Sequence, residues 1–228
     1  MELGWLTRVV RRARQRRGLH LFAANLRIFI GFAMLPAGLK KVLGEPFTDP
    51  GNTGPFHDFL HAFHDTGAFY PFVGLTQVLI ALLLMTQRFA LVGAMLLLPV
   101  LTTILVFCWS TAVYPTASVV TLMWLGNVGL FLWDIERWRG VIGEGGATAT
   151  SASTSEDDRL IVRHWALAGF LVFALYGLSA LVYGGIYRPR GFEAHEPAFW
   201  VLVALLAVPV TIGLVERRAF RVRRSTLT

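Results

Sequence analysis

The chain has 228 residues, 55% hydrophobic and 15% charged, with a formal net charge of +7. A soluble domain carries roughly 25% charged residues, so this composition argues against a water-soluble globule. The single cysteine, Cys108, excludes an intramolecular disulfide and a CxxC redox pair, and no ten-residue segment alternates cleanly enough for a strand of a membrane β-barrel.

The chain opens with a basic arm, residues 1–20, carrying Arg8, Arg11, Arg12, Arg14, Arg16 and Arg17. A basic helical arm joined to a membrane span suits anionic lipid headgroups, so membrane lipids are the expected partner and nucleic acid is not. Six apolar runs follow: Leu21–Leu43, Phe69–Thr86, Phe89–Trp109, Thr116–Trp133, His164–Tyr183 and Pro197–Val215. Each is close to the roughly 17–25 residues that a helix rising about 1.5 Å per residue needs to cross about 30 Å of hydrocarbon. The expected fold is therefore all-α, a polytopic membrane bundle of six transmembrane helices. The first run ends in Lys40 and Lys41 without a small-residue cleavage pattern, so it reads as a retained span.

Residues 140–158, GVIGEGGATATSASTSEDD, hold too few apolar side chains to offset the entropy of ordering them and read as a flexible linker. They separate a four-helix membrane core, 21–139, from a C-terminal two-helix hairpin with a basic tail, 159–228. With six spans the N-terminal arginines, Arg88, Arg137, Arg139, Arg159, Arg163 and the tail residues Arg217, Arg218, Arg221, Arg223 and Arg224 all fall on one side. The positive-inside bias then places both termini in the cytoplasm; five spans would send one arginine-rich tail outside.

Between the first two runs lies FHDFLHAFHD, residues 56–65. Pro55 suits a helix start and Gly67 its end, and at about 100° per residue His57, Asp58, His61, His64 and Asp65 share one stripe opposite Phe56, Phe59, Leu60 and Phe63. An amphipathic interfacial helix accounts for this pattern. His57, His61 and His64 are also the candidate metal ligands, because imidazoles at this spacing share a face, but one short helix supplies only part of a coordination sphere and only the distant His195 offers to complete it. No metal site is therefore expected. The last outer loop gathers Arg188, Arg190, Glu193, His195 and Glu196 in a pattern suited to a partner protein or headgroups.

Polar side chains within apolar runs are the stronger pointers, because each costs free energy unless paired. Counting residues from the run ends places Arg27, Gln77 and Asn127 at one depth, roughly 10–14 Å inside, with Asp134 at the rim able to neutralise Arg27. Arg27, Gly31, Met34, Gly38 and Lys41 form one stripe, and its glycines permit close helix approach, which turns Arg27 into the bundle. Three roles remain for Arg27: reaching the headgroups, a buried structural network, or a ligand contact. Arg27, Gln77, Asn127, Lys41 and Asp134 are thus the candidate ligand-binding residues, and no catalytic residue is assigned.

The segment LRIFIGFAMLPAGLKKVLG, 26–44, resembles the first span of DoxX-type membrane proteins, in which an arginine opens the helix and a G-x-x-K pattern closes it; Arg27, Gly38 and Lys41 fill those places. Residues 56–104 are similar to that family's amphipathic loop helix and its second and third spans, so the resemblance covers about 21–134. The family usually carries a glutamate where Gln77 stands. The resemblance implies an inner-membrane protein of bacterial type acting as an accessory or anchoring subunit of a quinone-dependent redox or cell-envelope complex, with a possible quinone-headgroup or small-ligand site around Arg27. No haem or iron–sulfur motif is present. A small-anion or small-molecule transporter is the alternative; a catalytic oxidoreductase lacks an electron-carrying residue set.

Overall fold

A computed structural model describes residues 4–14, 16–134, 156–183 and 197–225. Among them are eight helices and no strand: α1 (Gly4–Arg14), α2 (Arg17–Val42), α3 (Pro55–His64), α4 (Phe69–Met85), α5 (Ala90–Ser110), α6 (Tyr114–Trp133), α7 (Glu156–Val182) and α8 (Pro197–Ser225). Arg137 and Arg139, linker residues 140–155 and the outer-loop residues Arg188, Arg190, Glu193, His195 and Glu196 lie outside the described residues. The linker was expected to run to residue 158, yet α7 already begins at Glu156. Acidic residues at 156–158 suit the positive end of a helix dipole, which explains the earlier start.

Five helices contain stretches long and apolar enough to cross a membrane: Gly18–Val42, Ala90–Ser110, Tyr114–Trp133, Val162–Val182 and Phe199–Glu216. The remaining apolar helix, α4, has 17 residues. It passes for a span only together with α3, from which it is bent by 99°. Outward-facing side chains are apolar along the bundle, including Phe29 at 66% exposure and Leu122 at 70%. A belt of this kind calls for lipid, since a soluble monomer rarely exposes contiguous apolar surface of such extent.

The central element is α2, which packs against α1, α4, α6 and α7. Small residues bring α2 and α4 together along their length: Gly31 lies against Ala81 and Met85, and Gly38 against Gly74 and Val78. At the second crossing the backbones meet, since a Cβ on Gly74 would lie 2.6 Å from the Gly38 carbonyl oxygen. These contacts run in opposite chain order, so the two helices are antiparallel. Around them Ile30, Leu35, Ile80, Leu84, Leu97 and Leu101 form a buried core.

The C-terminal hairpin shares that core. Gly169 of α7 sits against the Met85 carbonyl, and Phe32 meets Tyr176 edge-on at 5.2 Å. One end of the bundle therefore gathers the start of α2, the ends of α4 and α6, the start of α7 and Glu216 of α8. We call it the basic end, and the opposite one, carrying α3, the histidine end.

Candidate functional site

At the basic end, the arginine that opens the α2 stripe meets the residues that close α4 and α6. Arg27 donates from Nη2 to Asp134 Oδ2 at 2.7 Å and from Nη1 to Gln87 Oε1 at 3.2 Å. Gln87 returns its amide to the Ala24 carbonyl at 3.1 Å. The second Asp134 oxygen accepts from Arg14 Nη2 at 2.9 Å, and Arg14 also donates to the Trp133 carbonyl. Arg27, Gln87 and Asp134 are all buried. A single carboxylate is thus held between guanidiniums from α1 and α2, which is the arrangement a charge removed from water requires.

The geometry follows from chain termini. Asp134 caps α6 and Gln87 lies two residues past α4, so both place a polar group where a helix ends. Gln87 adopts a left-handed backbone, φ 60°, in the tight reversal into α5. Its side chain is then fixed by the two α2 groups it contacts.

The expected convergence of Arg27, Gln77 and Asn127 at one depth does not occur. Gln77 accepts from Lys41 Nζ at 3.2 Å, towards the histidine end, where Lys41 also donates to the Ala37 carbonyl at 3.0 Å and lies 4.4 Å from the Phe47 ring. Arg27 and Lys41 are 14 residues apart on one helix, roughly 20 Å. The depths failed because α2 begins at Arg17, ten residues before Arg27, so that Arg27 lies level with the ends of α4 and α6 while Gln77 stays at mid-helix. Asn127 is fully buried between α5 and α6, where it donates to the Ala94 carbonyl at 3.0 Å. The five candidates therefore fall into three places, with Arg27 and Asp134 together, Lys41 and Gln77 together, and Asn127 apart.

The histidine face has a different use. His57 Nδ1 meets Thr48 Oγ1 at 2.6 Å, His61 Nε2 the Asn52 carbonyl at 3.2 Å, and His64 Nε2 the Gly44 carbonyl at 3.1 Å. Each ring contacts the loop between α2 and α3, so the polar stripe fastens that loop. Beneath it, Phe56 and Phe59 pack on Phe107 and Phe63 on Tyr70. The hydrogen bond to Asp65, aided by the Gly44 carbonyl, raises the His64 pKa above 6.5. Among the described residues no group of three His, Cys, Asp or Glu side chains is placed to hold a metal ion.

No protein-family model, curated protein or solved structure matches this chain. The site must therefore be read from its own chemistry.

Sequence reasoning missed three members of the basic end. Arg14 was counted only as a charge of the arm, and Gln87, beside Arg88, was given no part in a site. Glu216, 1% exposed, accepts from Trp165 Nε1 at 3.0 Å and joins α8 to α7. A carboxylate beside Arg217 and Arg218 reads as part of a solvated basic tail; its place at the end of an apolar run was the available signal.

Proposed function

We propose that this chain is a DoxX-like, six-span accessory or anchoring subunit of a bacterial-type inner membrane, serving a quinone-dependent redox or cell-envelope complex. Its basic end and both termini face the cytoplasm. The observation that carries this reading is the grip of Arg14 and Arg27 on Asp134, which fixes a basic amphipathic arm to the ends of the spans. Arg27 is engaged by Asp134 and Gln87, which supports a rigid platform over a pocket that opens to substrate. The redox assignment rests on the resemblance of residues 26–44 and 56–104 to DoxX-type sequences. The α4 helix, about 25 Å long and antiparallel to α2, supplies the sixth crossing.

Affinity purification of the full chain from native membranes, with mass spectrometry of bound proteins and extracted quinones, tests the proposal. Co-purification of membrane or envelope proteins, reduced in Asp134→Asn, is the expected result. A chain recovered without any partner, wild type and variant alike, overturns it.

A further inference from the structure

A cleft of about 430 Å³ opens at the basic end between the 86–88 turn and the start of α7, lined by Thr86, Gln87, Arg88, Val162, Arg163 and Ala166. We infer that this cleft binds the phosphate of an anionic phospholipid headgroup, with the acyl chains lying along α5 and α7.

The charge comes from Arg88 and Arg163, both exposed and without a carboxylate partner among the described residues. Arg88 rests 5.6 Å from the Phe89 ring. The backbone N–H groups of the turn are already spent, on Leu82, Leu84 and Thr86 carbonyls, so a ligand oxyanion would be met by guanidiniums, which suit phosphate geometry. The turn is held in advance, because Gln87 is fastened to Arg27 and to the Ala24 carbonyl.

Each arginine also stands at the head of an exposed apolar stripe. Below Arg163 on α7, at spacings of four and seven residues, come Leu167 and Phe170, 50% and 54% exposed. Following Arg88 into α5 come Phe89, Val92 and Leu96, 49%, 47% and 46% exposed and spaced along one helix face. Val162 and Ala166 add an apolar wall inside the cleft. A free phosphate ion has no use for these surfaces, whereas a phospholipid matches both parts: an anion at the rim and hydrocarbon alongside the helices. Basic pockets between spans at a cytoplasmic leaflet take anionic headgroups in this way.

The test uses full-length protein, delipidated in detergent and supplied with phosphatidylglycerol or phosphatidylcholine, with bound lipid counted by native mass spectrometry. Retention of phosphatidylglycerol over phosphatidylcholine is expected, falling about fivefold in Arg88→Gln or Arg163→Gln and about 25-fold in the double variant. The control Lys40→Gln, near the opposite end of α2, should leave retention unchanged. Equal retention in the double variant, or equal loss in Lys40→Gln, overturns the site. Binding of inorganic phosphate without lipid retention overturns the lipid assignment in favour of a soluble anion. An unchanged thermal midpoint in Arg88→Gln/Arg163→Gln confirms that any loss is not unfolding.

Discussion

Removing Asp134 is the sharpest perturbation of the basic end. The carboxylate is 3% exposed and its Arg27 partner 7%, whereas Arg14 is 25% exposed and partly screened by solvent. Two guanidiniums converge on this one carboxylate, and Asp134→Ala removes the anion that both of them contact. Breaking a buried pair from one side costs about 3–5 kcal/mol, most of it from the charge left behind. For a chain of this size that is a fall on the order of 10 °C in apparent melting temperature, measured in detergent by the loss of the folded species on size exclusion after heating. Replacing the buried pair with apolar residues, Arg27→Met with Asp134→Leu, removes the more deeply buried of the two guanidiniums together with the carboxylate and should recover much of the loss, leaving only the wetter Arg14 without this contact. Arg14→Gln should cost about 1 kcal/mol or less because its site is wetter. A shift below about 2 °C in Asp134→Ala, or a double variant as unstable as the sum of its singles, would refute the argument that the buried charges depend on each other.

Two glycines of α7 offer a contrast. A Cβ on Gly169 would lie 2.0 Å from the Met85 carbonyl oxygen, so Gly169→Ala should push α7 away and cost about 1–3 kcal/mol, while Gly177→Ala, with nothing within 4 Å, should be neutral or stabilising; equal thermal shifts would contradict this packing. Gln77→Glu should be tolerated or stabilising, since Lys41 lies 3.2 Å away and would gain a charge-assisted bond, whereas Gln77→Leu should cost about 1–3 kcal/mol; thermal melts that reverse this order would exclude the pairing. Because the folded state raises the His64 pKa, its protonated form adds stability below pH 6.5 that disappears as pH rises through the raised value. With Asp65 exposed the effect is at most about 1 kcal/mol, visible as lower protection factors in loop 44–52 at pH 8 than at pH 5.5 once the intrinsic pH dependence of exchange is divided out, a difference absent in His64→Gln.

The all-helical architecture was legible because hydrophobic run length and helix rise are local properties, and the apolar runs match the helices to within a few residues at most ends. The α3 helix was equally readable, since Pro55 sets its start and the 3.6-residue period sorts histidines from phenylalanines. The glycine stripe on α2 foretold a close neighbour, and the pairing of Arg27 with Asp134 followed from the need of each buried charge for the other. Apolar composition by itself determined that this chain folds against lipid.

Which polar groups meet depended on the axial offset between helices, and no local pattern encodes that offset. The backbone contact at Gly38 and Gly74 sets the register of α2 on α4, and that register delivers Gln77 to Lys41 and Gln87 to Arg27. Tertiary packing likewise brought Arg14 back onto Asp134 across 120 residues and buried Glu216 against Trp165. The sequence determined that these charges need partners; only the packed bundle, by fixing where each helix ends relative to its neighbours, chose them.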